Sequence, residues 1–215
     1  MKSIIIGAGT YGEVYLHYLK KSNVEIVGFL DDDPGKKGVE INGVPVRGRI
    51  DDLENLAETG VRGVYCPIGS NALRVAVHCR ARNLGFITPN FIHESAVVDS
   101  VLEDDCGIFL LAGAVVMPHV SIEKDVMISM GAKIAHHTKI GQGAFLSTNV
   151  SVGAGISLGR CSYIGMSATL VTGKCKSTGP NALVGAGAVV VSDVGEGEVF
   201  AGVPAKCIKR VNGIN

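Results

Sequence analysis

Residues 110–170, LLAGAVVMPHVSIEKDVMISMGAKIAHHTKIGQGAFLSTNVSVGAGISLGRCSYIGMSATL, decide the fold of this chain. Every sixth residue is aliphatic: Leu110, Val116, Ile122, Ile128, Ile134, Ile140, Leu146, Val152, Leu158, Ile164 and Leu170. Four places after each of the first ten stands a residue that is small or β-branched: Ala114, Val120, Val126, Ala132, Thr138, Ala144, Val150, Ile156, Ser162 and Ala168. A period of six fits neither the stripe of an α-helix, about 3.6 residues, nor the alternation of a plain strand. It suits a coil of three short strands in which each flat face uses one hexad. The aliphatic row then points to the axis and stacks turn upon turn. Glycine often follows it, as Gly141, Gly153, Gly159 and Gly165 do, where the lack of a Cβ permits a positive φ or a close approach. The pattern predicts a hexapeptide β-helix.

Outward from this stretch, Ile92 and Val98 already fit the register and Asp104 interrupts it. At the other end the register fails at Lys176 and resumes two residues out of phase at Val184 and Val190, so Lys174 to Asn181, with Gly179 and Pro180, reads as a bulging loop. The chain closes with FAGVPAK, Phe200 to Lys206, and a short basic tail.

Residues 1–88 have a different texture and predict a separate α/β domain, with 89–215 forming the coil. Lys2 to Ile6 is an apolar strand that stops at GAGTYG, Gly7 to Gly12. The helix that follows carries Tyr11, Val14, Tyr15, Tyr18 and Leu19 on one stripe. A strand feeding a helix through GxGxxG is the context of a dinucleotide fingerprint, whose glycines let backbone N–H groups at a helix start approach a phosphate. A second strand, Glu25 to Leu30, ends in Asp31, Asp32 and Asp33; Asp31 follows Gly12 at a spacing that suits an acid bonded to a ribose or base. A loop from Gly35 to Gly48, a helix from Asp51 to Thr59, a strand from Val61 to Cys66, a helix from Asn71 to Leu84 and a last short strand at Phe86 and Ile87 complete the order of a small parallel sheet. Leu73, Ala76, Val77, Ala81 and Leu84 supply the expected buried face of that last helix. The domain is too short for two mononucleotide halves, so one nucleotide is expected there; the alternative is that GAGTYG is only a tight connection.

The chain of 215 residues can bury two cores, and its 20 basic and 20 acidic residues cancel, so no overall field draws it to nucleic acid or to an acidic membrane. Apolar runs are far shorter than the ~20 residues needed to span a bilayer. Six scattered cysteines with no CxxC pair point to free thiols in a reducing cytoplasm.

Polar departures from the hexad pattern mark candidate chemistry. His136 and His137 take the third and fourth places of the hexad begun by Ile134 and face away from the core. An imidazole there can meet a ligand in a groove between subunits; the alternative is two solvated turn histidines. His119 holds a matching outward place with nothing polar expected around it. Three imidazoles converging on a metal, as in the zinc enzymes of the γ-class carbonic anhydrase type, are not evident, because His136 and His137 are expected to point apart.

GAGTYG, LDDDP, the six-residue coil, IAHHTKIG and AGVPAK together resemble the NeuD/PglD family of sugar acetyltransferases over essentially the entire chain. The resemblance implies a Rossmann-like N-terminal domain followed by a left-handed parallel β-helix that assembles as a homotrimer. It implies that the N-terminal domain holds the nucleotide of an activated sugar, with Gly7, Gly9, Thr10, Tyr11, Asp31, Asp32 and Ser129 on the substrate side. Acetyl-CoA is expected along the groove between coils, past Gly153, Ala154, Gly155, Gly165, Met166, Gly185 and Ala186, with Lys206 toward its phosphates and no metal required. His136 takes the place of the general base; a free imidazole titrates near 6.5 and such a base contributes ~10²- to 10⁴-fold. Backbone N–H groups of Gly153 to Gly155 are expected to hold the oxyanion. The acid that usually follows the catalytic histidine is replaced by His137, the glycine loop has Tyr11 where many relatives have histidine, and Ser129 stands where relatives often have asparagine. The expected activity is N-acetylation of a nucleotide-linked amino sugar, a 4-amino sugar for preference. O-acetylation of sialic acid or another sugar, and nucleotide-sugar binding without turnover, are the alternatives.

Overall fold

The computed structural model describes residues 1–211. The chain divides into two units, Met1–Asn90 and the remainder from Phe91.

The first unit is a five-stranded sheet in the order β3-β4-β2-β1-β5. Its elements are β1 (Lys2–Ile6), α1 (Thr10–Lys21), β2 (Glu25–Leu30), β3 (Glu40–Ile41), β4 (Val44–Gly48), α2 (Leu53–Leu56), β5 (Gly63–Tyr65) and α3 (Asn71–Asn83). β1 lies parallel between β2 and β5, and Ile4, Ile6, Leu30 and Val64 share a core with Val77 and Ala81 of α3. The expected loop from Gly35 to Gly48 contains a hairpin: β3 pairs antiparallel with β4, and β4 joins the edge of the sheet beside β2. The expected strand at Phe86 and Ile87 shrinks to one parallel bridge between Gly63 and Ile87. The helix expected from Asp51 begins instead with a 3₁₀ turn at Ile50–Asp52, where Asp52 accepts a hydrogen bond from the N–H of Arg49 at 2.9 Å, and the α-helix is confined to α2.

The helices present other faces than apolar periodicity suggests. α1 buries Gly12, Tyr15, Leu16 and Leu19, and leaves Tyr11 and Val14 exposed. A Cβ on Gly12 would collide with the carbonyl oxygen of Gly7, so the bare glycine sets how the helix rolls onto the sheet. α3 is capped by Ser70, whose hydroxyl accepts from Leu73 N, and buries Arg74 and His78 beside Val75, Val77 and Ala81 while Leu73 is exposed. Arg74 is tolerated inside because its guanidinium donates to Ile68 O at 2.8 Å and Asn71 Oδ1 at 2.9 Å.

The second unit is the expected coil. Two-residue strands repeat every hexad, and each pairs in parallel with the strand three hexads on, as Lys133–Ile134 pairs with Ser151–Val152. The three faces are sheets of eight, six and four strands. The four-stranded sheet starts only at Ser121–Ile122, since the hexad interrupted by Asp104 forms no strand. Along the aliphatic row every residue except Ile122 is exposed by 3% or less, and the small or β-branched row from Ala114 to Ala168 is buried throughout. Both rows point inward, which is why the sequence must specify two places in six.

Two extra residues enter the coil at one turn. Ser157–Leu158 pairs with Ser177–Thr178, two residues beyond the usual register. The slack lies at 172–174, overlapping the expected loop only at its first residue, and Asp193 closes it by accepting from the N–H groups of Lys176 at 2.5 Å and Ser177 at 3.0 Å. Gly179 and Pro180 sit in an ordinary corner. The basic tail is a strand, Ala205–Arg210, antiparallel to Glu198–Gly202; its last four residues lie outside the described ones.

Candidate functional site

The corner that follows each strand of the six-stranded sheet holds the histidines. In four successive turns of this corner the fourth residue of the hexad has a positive φ: His119 at 63°, His137 at 60°, Gly155 at 71° and Gly173 at 73°. Left-handed backbone is costly for most side chains and less so for histidine, asparagine and aspartate. His119 and His137 therefore stack in one column on successive turns, with ring centroids 4.9 Å apart and planes tilted by 41°. His136, one place earlier, meets His137 edge on, with Nδ1 of the two rings 2.9 Å apart, one nitrogen donating and the other accepting. All three are exposed. The expectation that His136 and His137 point apart is thus wrong, and so is the isolation of His119. Among the described residues no group of three or more histidine, cysteine or acidic side chains could hold a metal ion.

Gly153, Ala154 and Gly155 lie on the turn above His136, and Gly155 N donates to His136 O at 3.0 Å. A Cβ on Gly153 would stand 2.6 Å from Thr172 N and 2.8 Å from Leu170 O, so the turn can close here only on glycine. The expected oxyanion donors are engaged within the coil: Gly153 N donates to Leu170 O at 3.0 Å, Gly155 N to His136 O, and Ala154 N to Thr172 Oγ1 at 2.9 Å. Only the last acceptor is a side chain.

Gly165, Met166, Gly185 and Ala186 form the corner at the opposite edge of the same six-stranded face, on successive turns joined by Gly165 N to Val184 O and Gly187 N to Met166 O. Between the two corners runs a shallow apolar groove of about 510 Å³, lined among others by Met117, Ala135, Gly153, Val171 and Thr172. Ser129 is buried at the start of the other corner, donates its N–H to Leu146 O and does not join the histidines. Lys206 is exposed on the terminal strand.

In the first unit the glycine loop is built as its spacing suggests. Gly7 has a φ of 97° and donates to Leu30 O at 2.8 Å; Gly12 packs on Gly7; at Gly9 a Cβ would meet nothing within 4 Å. Gly9 also caps α1 without a side-chain hydrogen bond, with Thr10 and Tyr11 opening the first turn. Asp31 does not stand free. Its Oδ2 accepts from Ala8 N at 2.7 Å and Lys36 Nζ at 2.9 Å, and its Oδ1 from Asp33 N at 2.9 Å. Burial pushes this carboxyl up, but the three hydrogen bonds outweigh it and hold the pKa below the usual value. Asp32 is more exposed and accepts from Ile50 N at 3.0 Å, pinning the start of the 3₁₀ turn.

The sequence profile of the PglD N-terminal domain matches residues 2–81. PerB from Caulobacter crescentus, solved in complex with CoA and GDP-perosamine, is 31% identical, with 97% of this chain and 98% of that chain covered and a TM-score of 0.89. This chain belongs to the hexapeptide-repeat sugar acetyltransferases. The acetyltransferase domain of PglB from Neisseria gonorrhoeae FA1090 is 29% identical over 96% of this chain and 98% of that one, with a TM-score of 0.87. WeeI from Acinetobacter baumannii AYE, at 21% identity and a TM-score of 0.74, shares the fold across 97% of this chain.

The second unit is accordingly the left-handed parallel β-helix of the hexapeptide-repeat sugar acetyltransferases, and the first is their Rossmann-like domain. Sequence spacing groups His136 with Gly153 to Gly155, and the fold does bring them to one corner. It gives no notice of the parts played by His119 and Lys36. His119 could have been found, because it lies three hexads before His137 and residues at that interval stack.

Proposed function

We propose that the chain transfers an acetyl group from acetyl-CoA to the amino group of a nucleotide-linked sugar, a 4-amino sugar for preference. The observation that carries this is the full-length likeness to PerB, a structure that holds CoA and GDP-perosamine. The acetyl-CoA complex of the PglB domain, 28% identical with a TM-score of 0.86, supports the donor. The glycine loop and the start of α1 receive the nucleotide phosphates, with Gly9 as the open position. The groove beside the six-stranded face takes the pantetheine arm, and a second coil of a homotrimer closes it.

The amine is protonated near neutrality and attacks only after losing a proton. His136 accepts that proton at Nε2, since Nδ1 is occupied by His137. The nitrogen adds to the thioester carbon and the tetrahedral oxyanion forms; as it collapses the C–S bond breaks, and a second proton from the nitrogen goes to the departing thiolate to give the CoA thiol and the neutral amide. Of the three N–H groups on the turn above, only that of Ala154 is held by a side chain, and rotation of Thr172 frees it for the oxyanion. Six free thiols, four of them buried, suit a reducing cytoplasm, where both substrates would be met.

Thiol release from acetyl-CoA is to be measured with UDP-, GDP- and dTDP-linked 4-amino sugars and with free sialic acid, for wild type and His136→Ala. Release with one amino sugar, lost in the variant, is expected. Release with sialic acid alone would replace this reading by O-acetylation, and nucleotide binding without any release would leave a binding protein.

A further inference from the structure

We propose that His137 is the positioning residue of the reaction, an imidazole that accepts the Nδ1–H of His136 and so holds it in the one tautomer able to act as a base. The proposal rests on the role given to His136 above. A neutral imidazole carries one proton, and the nitrogen that keeps it is set by the partner of the other. With the two Nδ1 atoms 2.9 Å apart, only one arrangement leaves Nε2 of His136 with a free lone pair. His136 must donate from Nδ1, and His137 must accept at Nδ1 while carrying its own proton on Nε2. Reversing the bond puts the proton of His136 on Nε2 and removes the base.

The backbone holds this arrangement. His137 sits at a φ of 60°, which turns its side chain back along the corner toward its neighbour, and the turn above offers only Gly155, so nothing crowds the ring from that side. On the turn below, His119 lies 4.9 Å away by ring centroids. His119 and His136 are the titratable groups that face His137, and Gly155 brings no charge. When His136 takes the amine proton at Nε2, its Nδ1–H bond to His137 becomes charge-assisted and stabilises the imidazolium. The proton taken up at Nε2 of His136 then leaves to water while the Nδ1–H bond to His137 stays in place, so the pair returns to the tautomers that make His136 a base. One proton enters the pair and one leaves, and each ring ends neutral.

The left-handed position dictates the variants. Glycine removes the ring without strain, and asparagine tolerates the same φ and offers an oxygen that accepts but does not titrate. Nitrogen-15 NMR of histidine-labelled protein without substrates reads the tautomer directly, with the His136 signal assigned by its loss in His136→Gln. Wild type and His137→Asn are expected to show His136 protonated on Nδ1, and His137→Gly to show it protonated on Nε2. In the acetyl-transfer assay His137→Gly is expected to lose roughly tenfold or more in kcat/KM, part of the general-base contribution, with asparagine restoring most of it. His137→Asp is expected to move the acid limb of the rate profile to higher pH, because a carboxylate favours the imidazolium more than a neutral ring does. An unchanged His136 tautomer in His137→Gly would overturn the proposal, as would wild-type kinetics in that variant. The expected tautomers in a protein that transfers no acetyl group would uphold it and sink the activity alone.

Discussion

The carboxylate of Asp31, at the end of the second strand, accepts the backbone N–H of Ala8 at 2.7 Å and so ties that strand to the glycine loop. Lys36 joins the same oxygen, and the side chain of Asp31 is only 12% exposed. The acid thus braces the glycine loop from behind, and any contact it makes with a ribose adds to that duty.

Asp31→Ala leaves the Ala8 N–H and the Lys36 ammonium without their acceptor. The expected loss is about 1–3 kcal/mol in stability for the orphaned groups, with nucleotide-sugar affinity falling alongside. Calorimetry of nucleotide binding and thermal unfolding of the variant check both. Unchanged affinity would place the loop outside the nucleotide site.

The pH dependence of that tie follows from the sign of its shift. A carboxyl whose folded pKa lies below its unfolded value stabilises fully above the unfolded value, and the contribution disappears as pH falls through the folded one. The gap in unfolding midpoint between wild type and Asp31→Asn should be constant near neutrality and shrink in acid, below the usual carboxylate range. A gap that grows on acidification would contradict the assignment.

His136→Ala should lower turnover by about 10²-fold, the low end for loss of a general base, while acetyl-CoA binds as before. Steady-state kinetics beside direct CoA binding separate the two. An unaltered rate would remove His136 from the chemistry.

Gly153→Ala tests the corner itself. The added methyl meets the rotatable Thr172 hydroxyl and, behind it, Thr172 N and Leu170 O, backbone atoms that cannot retreat without breaking the ladder between turns. The expected cost is about 1–3 kcal/mol, read as a lower unfolding midpoint. Gly60→Ala, where a Cβ meets nothing but φ is 81°, should show backbone strain only.

In the proposed assembly a second coil closes the groove. Sedimentation should give a trimer, and a fully active monomer would refute that assembly.

The coil was legible because it is a one-dimensional code: two inward places in every six, repeated until chance is excluded. The hairpin at Glu40–Gly48 is missed inside the expected loop, although Asn42 and Gly43 between Ile41 and Val44 are a strong turn signal, because the surrounding glycines and lysines give no strand pattern. The roll of α1 was not legible, because the contact that fixes it is made by Gly12, a residue with no side chain to count in a stripe. Nor was the buried face of α3, where Arg74 and His78 read as surface residues until their place inside is known. At the candidate site, hexad spacing placed His136 and His137 on the outer surface, and the family resemblance singled out His136. The bond between its Nδ1 and that of His137 depends on a left-handed backbone that hexad arithmetic alone does not describe.

The two-residue excess in the turn before Ser177 carries a last lesson. Beyond it, Leu183–Val184 and Val189–Val190 pair with the turn below at the new offset and bury their inward residues as fully as before. In a protein wound like thread on a bobbin, slack let out on one turn is taken up before the next, so an error of length stays where it occurs. Asp193 is the knot that secures it. Lineages of such proteins can therefore lengthen a single loop, and reshape one patch of the outer surface, while every turn above and below keeps its grip.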